Sequence, residues 1–252
     1  MPPVAQIYAL PGDLLREGVL RYGFHGLSYE YILGELTKEA GEETSKGRVV
    51  IEHLGNGASM VALKQAKSLD TTMGFSPAGG LVMSTRSGDL DPGVILYLLK
   101  EKGLEFPAVN RMVNKEGGLL GVSGISPAMR DLLETEASNP HSAQAVGLFC
   151  YQAKKFLGAL AAVLGGLDTL IFTGGIGENA PSIRWRICDN MRFLGIRLDP
   201  RRNDANQSII SQDNTPTTVR VMKTNEELMI ARHTYKLLHK GCQPKRTGVG
   251  KP

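Results

Sequence analysis

Hydrophobic and polar positions along the chain fall into two periods, and most stretches commit to one of them. Two β-rich runs, VVIEHL (49–54) and ASMVAL (58–63), flank Gly55-Asn56-Gly57. Asn-Gly between such runs is a strong short-range hairpin signal. LDTLIFTGG (167–175) is a short apolar strand that ends in glycines, and TTVRVMKT (217–224) reads as a further strand. Helical spacing governs the other periodic stretches. SYEYILGELTKEA (28–40) predicts a helix with Ser28 at its N-cap. DPGVILYLLKEKG (91–103) predicts another, with Pro92 near its first position and Gly103 as its stop. FPAVNRMVNKEGG (106–118) and SPAMRDLLETEA (126–137) suggest two shorter ones. In residues 141–166 small and apolar side chains run around most of the surface, which predicts a long, largely buried helix. SIRWRICDNMRFLG (182–195) returns to helical spacing, and EELMIARHTYKLLHK (226–240) is an amphipathic helix. Helices alternating with strands and hairpins, without internal repeats or a clear linker, give an α/β fold.

Composition narrows the class. At 252 residues and 42% hydrophobic, the chain can build one large domain or two small ones with a real core. It contains no run of about 18 apolar residues, so no membrane span is expected. MPPVAQIYALPGDL has neither the basic nor the apolar region of a secretory signal. Cys150, Cys188 and Cys242 are widely and irregularly spaced, which suits a reducing cytoplasm better than a disulfide framework or a metal site. Net charge is 29 − 25 = +4, and much of the excess lies in the tail HKGCQPKRTGVGKP. With few interleaved aromatics and no nucleic-acid motif, that tail reads as a solvated terminus.

The candidate chemistry sits in glycine turns and two side chains. GGIGENAPS follows a strand and precedes a helix, where backbone N–H groups and the helix dipole can hold an anion. Taken alone, a packing role for its glycines is equally open. Gly55-Asn56-Gly57 alone is better read as a plain hairpin turn, although two glycine turns in one chain raise the phosphate reading. His25, between an aromatic residue and a glycine in RYGFHGLS, would ordinarily be structural. Arg86, in MSTRSGDLDPG, suits bidentate recognition of carboxylate or phosphate, while a surface ion pair is its ordinary role.

These stretches are not independent. RYGFHGLSYEY, HLGNGASM, DTTMGFSPAGGLVMSTRSGDLDPG, GLLGVSG, FTGGIGEN and TNEELMIA follow one another in this order and at these separations. Together they resemble the acetate kinase family, the acetate and propionate kinases of the actin-like ATPase superfamily, from about residue 2 to about residue 235. The resemblance implies an RNase H-like α/β nucleotide-binding domain over 1–225. It implies a terminal helix, 226–240, that packs on a separate first domain in the family, and a disordered basic tail, 241–252. The implied reaction converts ATP and acetate, or another short-chain carboxylate such as propionate, reversibly to ADP and an acyl phosphate with Mg²⁺.

Roles follow by position. His25 matches the histidine that contacts the transferring phosphoryl group, and Arg86 the arginine that stabilises its charge. His53, Leu54, Gly55, Asn56 and Gly57 match one phosphate loop. Gly175, Ile176, Gly177, Glu178 and Asn179 match a second nucleotide loop. Arg130 matches an arginine of the nucleoside site, and Glu226 the magnesium-associated glutamate. Phosphoryl transfer relies on positioning and on neutralising the equatorial oxygens, so Arg, His, Mg²⁺ and backbone donors make physical sense there.

The pattern also departs. The family's first domain carries an Asn that binds phosphate and metal, an Arg of the acyl site and the catalytic Asp, and none of them can be placed here. Ala128 stands where the family has an Asp two residues before Arg130. The expectation is therefore an acetate kinase-type enzyme with weak or no turnover as this chain alone. The alternatives are one half of a split kinase completed by a separate N-terminal domain, or a non-catalytic nucleotide-binding or dimerisation domain. A homodimer is implied by resemblance, and neither a nucleic-acid nor a membrane partner is expected.

Overall fold

A computed structural model of the protein describes residues 1–240. The tail expected at 241–252, Cys242 included, lies outside the described residues. Five strands form one mixed sheet: β1 (Val49–Leu54), β2 (Ala58–Lys64), β3 (Lys67–Thr71), β4 (Thr169–Thr173) and β5 (Thr218–Val221). Their order is β3-β2-β1-β4-β5. β1 and β2 form the expected hairpin, antiparallel, with Leu54 opposite Ala58 across the Asn-Gly turn. β4 runs parallel to β1, with His53 opposite Thr173, and β5 runs parallel to β4. β3 is an edge strand that the sequence reading did not foresee.

Alternation along β1 divides the core. Val49 and Ile51 pack with Tyr29, Ile32 and Leu36 of the helix Gly26–Lys46 on one face. Val50 and Leu54 face the other way, into a larger cluster with Phe149, Leu157 and Ile183 from the helices Pro140–Leu164 and Pro181–Cys188. Helices thus cover both faces of the sheet, as an α/β fold requires. Glu52 lies in the same strand, fully buried, and neither of its carboxyl oxygens has a hydrogen-bond partner.

Several expected boundaries change. The first long helix starts at Gly26 with His25 at its N-cap position, so Ser28 is not the cap. Ser28 lies inside the helix, buried, and its hydroxyl turns to His53 and Thr224 instead. The helix runs on to Lys46 past Gly41, whose φ of +85° marks a kink rather than an end. Pro140–Leu164 is less buried than expected: one face, including Val146, Phe149, Ala153 and Leu157, is in the core, while Tyr151 and Val163 are exposed. By length and composition it is the one helix among the described residues that could cross a membrane. Its buried face forms the centre of the larger core cluster.

The terminal helix Glu226–Lys240 leans on Gly26–Lys46. Met229 is buried there, His233 pairs with Glu30 at 2.8 Å, and the Arg232 guanidinium lies over the Tyr31 ring. Beyond that contact Tyr235, Leu237 and Leu238 are exposed.

Candidate functional site

Two adjacent parallel strands, β1 and β4, end side by side, and their C-terminal ends carry the two glycine stretches. Crevices outside the carboxyl ends of parallel strands are the usual ligand sites of open α/β sheets. Ser84 pins the hairpin tip, donating its N–H to Asn56 O (3.1 Å) and its hydroxyl to Asn56 Oδ1 (3.3 Å). Gly174 has φ +78°, and a Cβ there would stand 2.8 Å from Leu54 O, so only glycine lets the two strand ends approach this closely.

Above the hairpin tip, Arg86 and His25 converge on Gly57, and His53 stands beside them near Gly55. A Cβ on Gly57 would lie 2.8 Å from Arg86 Nη2 and 3.2 Å from His25 Nε2. Arg86 is steadied by donating Nη1–H to Pro77 O at 2.7 Å. His25 and His53 stack with ring centroids 4.2 Å apart. Each imidazole is held from behind by a hydroxyl. Ser59 Oγ lies 2.6 Å from His25 Nδ1 and also meets the buried Tyr29 hydroxyl. Ser28 Oγ lies 2.9 Å from His53 Nδ1 and 2.8 Å from Thr224 Oγ1. Each chain can run its hydroxyl protons toward Nδ1, which leaves Nε2–H as a donor on the open side.

Burial, reinforced by the charges of His53 and Arg86, holds the His25 pKa down to about 3. Burial alone holds His53 at about 4. Both rings are therefore neutral at pH 7, and Arg86 is the fixed cation of the cluster.

The GGIGEN stretch differs from the expected loop. It is itself a short helix, Gly174–Asn179, that starts directly at the end of β4. Glu178 points back and caps its own helix: its Oε1 accepts from the N–H groups of Gly174 (3.0 Å) and Thr224 (3.3 Å). At the other end, the fully buried Arg184 donates to the carbonyls of Gly177 (2.9 Å) and Glu178 (3.1 Å). Its remaining donors reach Asn203 O and Oδ1 and Asn206 Oδ1. Every N–H of this guanidinium is used, and the helix it staples has no freedom to reorient.

Gly55, Asn56, Arg130, Gly175, Ile176 and Asn179 line one cleft of about 700 Å³. Its far wall comes from the helix Met129–Thr135 and from Ala180, Pro181 and Ser182. The other matched residues take different places. Leu54 is core, Gly177 is buried against Phe172, and Glu178 is spent on backbone groups. Arg130 is exposed, 3.6 Å from Asp131 and 3.9 Å from Glu134. Ala128 occupies the N-cap position of its helix without a side-chain acceptor, and the nearby Asp131 accepts from Ser126 Oγ at 2.7 Å. Glu226 opens the terminal helix, close enough to the site for its charge to push the Tyr29 phenol pKa up, after the larger effect of burial.

Ser59, Tyr29, Thr224 and Arg184 were not foreseen, and Ser28 was expected only as a helix cap. Their only signal in sequence was polarity inside otherwise apolar spacing, and that does not identify a partner.

The fold of this chain is found in solved structures at high similarity. A Porphyromonas gingivalis acetate kinase superposes with a TM-score of 0.90 at 41% identity, over 94% of this chain and 61% of that one. A propionate kinase from Francisella tularensis gives 0.87 at 37% identity, over 92% of this chain and 60% of that one. The Acetokinase family model matches residues 1–232. The chain belongs to the acetate kinase family. Its RNase H-like, actin-like kinase fold follows from the same comparisons. Among curated relatives, the acetate kinase of Rhodopseudomonas palustris is 50% identical over 246 residues, 96% of this chain and 61% of the relative. The chain thus spans about three-fifths of the length of the acetate kinases it matches.

Proposed function

We propose that this chain supplies the nucleotide-binding side of an acetate kinase-type phosphotransferase. That reaction passes the γ-phosphoryl group of ATP to the carboxylate of acetate or another short acid, and reverses. The observation that carries the proposal is that Arg86 and His25, with His53 stacked on His25, gather over the Gly55–Gly57 turn, whose Gly55 and Asn56 also line the cleft between the two glycine stretches.

The nucleoside would lie along Arg130, Leu133 and Ala180–Ser182, with its phosphates toward Gly55–Gly57. Arg86 opposes charge on the equatorial oxygens of the transferring group, and the neutral Nε2–H groups of His25 and His53 donate to them. Fixed donors aimed at developing charge need no reorganisation during the reaction. As phosphate approaches, its negative charge raises both imidazole pKa values, which strengthens these hydrogen bonds.

Among the described residues no three His, Cys, Asp or Glu side chains form a metal cage. Glu226, close enough to Tyr29 for its charge to act on that phenol, would give the protein oxygen to a hard cation held mostly by substrate phosphates. Mg²⁺ held there would neutralise phosphate charge.

A homodimer is part of the proposal. The helix Pro92–Lys100 is strongly apolar yet has no buried residue, and Val94, Leu96, Tyr97 and Leu99 stand exposed on it. Sedimentation that detects only monomer would exclude this part.

The test of the activity is acyl-phosphate formation from ATP, Mg²⁺ and acetate or propionate, trapped with hydroxylamine. It is run with this chain alone and with the first domain of a relative added. Turnover that vanishes in Arg86→Ala is expected in at least one setting. ATP binding without turnover in either would favour a non-catalytic nucleotide-binding domain.

A further inference from the structure

A second pocket, of about 230 Å³, lies at the other end of the helix whose first residues wall the nucleotide cleft. Pro181 and Ser182 face the cleft, whereas Trp185 and Cys188 of the same helix, Pro181–Cys188, line this pocket. Its floor is apolar and buried, made of Cys188, Ile196 and Leu198. Trp185, about half exposed, forms a wall.

The rim is charged. Arg192 and Arg197 both line the pocket, and neither forms an ion pair or a side-chain hydrogen bond with another described residue. Asp189 stands on the same rim, its carboxylate accepting from Asn190 Nδ2 at 2.8 Å and otherwise free to accept another donor.

The segment carrying these side chains is held rigidly. The fully buried Thr217 shares its one hydroxyl proton between Leu194 O (2.5 Å) and Leu167 O (2.9 Å), and Gly195 turns at φ +79° against Pro216 and Thr217. A pocket with an apolar floor, an aromatic wall and a few polar groups on its rim has the composition of a small-molecule site.

We propose that this pocket binds a small apolar α-amino acid, and that it does so independently of nucleotide. The carboxylate meets the forked donors of Arg192 and Arg197, which match carboxylate geometry. The ammonium faces Asp189. The apolar side chain covers Ile196, Leu198 and the Trp185 ring, removing that surface from water. Two cations and one anion around an apolar floor fit a zwitterion better than a simple anion, because Asp189 would repel a ligand without a donor. The cavity is below the usual span for larger ligands, about 300–1,000 Å³, which favours a ligand of amino-acid size over a nucleotide.

Trp185 is the only tryptophan in the chain, so its emission reads this pocket and the neighbouring cavity it also lines; Arg192 and Arg197 border only the first, so their variants tell the two apart. The experiment titrates the full chain, without nucleotide, with L-leucine, L-isoleucine and L-phenylalanine at constant ionic strength, following Trp185 fluorescence. The deaminated analogue 4-methylpentanoate serves as the comparison. A saturable change is expected with at least one amino acid. It should weaken at least tenfold for the analogue and at least tenfold in the Arg192→Gln/Arg197→Gln double variant. Asp189→Asn should narrow the difference between L-leucine and 4-methylpentanoate.

No saturable change with any of the three would overturn the proposal. So would binding that the double variant leaves intact, or equal binding of 4-methylpentanoate. These readouts do not involve ATP or turnover, so a failure here leaves the kinase reading standing, and a failure there leaves this pocket untouched.

Discussion

Replacing Glu52 offers a quantitative test of the packing account. Glu52 is fully buried in the middle of β1, on the face toward Pro140–Leu164, and both carboxyl oxygens lack partners. Burial pushes its pKa well above the usual carboxylate value of 4.5. Even protonated, an unsatisfied buried carboxyl costs about 1–3 kcal/mol.

Ionisation adds a pH-dependent part. The unfolded chain loses this proton near pH 4.5, while the folded chain keeps it. Folding stability is therefore full below that pH. It falls by about 1.4 kcal/mol per pH unit as pH rises toward the raised folded value, and levels off above it.

Glu52→Met fills a similar volume and removes both penalties. The variant is expected to be more stable by about 2 kcal/mol near pH 5, with a gain that widens by about 1.4 kcal/mol per unit at higher pH. Glu52→Gln should remove the widening and keep most of the fixed penalty. Urea denaturation of the three proteins at several pH values between about 5 and 8 reads this directly. A methionine variant less stable than the parent, or a difference that does not change with pH, would refute the reasoning. Either result would mean that the carboxyl has a partner.

His25 and His53 act in the opposite direction, because their folded pKa values of about 3 and 4 lie below the unfolded 6.5. Their stability is present above pH 6.5 and is lost on acidification; each contributes a loss of about 1.4 kcal/mol between about pH 7.5 and pH 5.5, so His53→Asn should halve that part of the slope in Glu52→Gln protein. Arg184→Met strands two carbonyls of the short helix Gly174–Asn179 and should destabilise by about 3 kcal/mol or more, visible as a lower urea midpoint. Gly57→Ala meets the side-chain ends of Arg86 and His25 rather than backbone, so stability should change by less than about 1 kcal/mol in denaturation. Measured turnover in the same variant should fall by up to about a hundredfold, as for other small misplacements of catalytic groups.

Where local pattern and tertiary demand agreed, the sequence was readable. The β1–β2 hairpin has both the apolar runs and the Asn-Gly turn that such a connection needs, and Asp91-Pro92 announced a helix start that the Asp91 side chain caps. β3 was missed because Lys67–Thr71 is a half-buried edge strand of mixed polarity, stabilised by pairing with β2 rather than by its own pattern. The helix Gly118–Ser123 was missed because glycines bracket it. It forms because Leu119 is buried and its N–H reaches Met83 O at 2.8 Å.

GGIGEN was read as a loop on composition, and it is a helix because Glu178 caps its start and Arg184 holds its end. In the site, the residues of the glycine stretches were visible in the sequence. Which of them face a ligand was not, because that depends on how β1 and β4 end together. The hydroxyls behind His25 and His53 come from positions 34 and 25 residues away in the chain, a relation no local pattern carries.

The central claim is that the cleft between the two glycine stretches receives a nucleotide with its phosphates toward Arg86. Calorimetric titration of this chain with adenosine, AMP, ADP and ATP, each with Mg²⁺, tests it most directly. The account predicts affinity that rises with each added phosphate, and an ATP advantage over ADP that Arg86→Ala removes. Equal affinity across the series, or an ATP advantage untouched by Arg86→Ala, would contradict it.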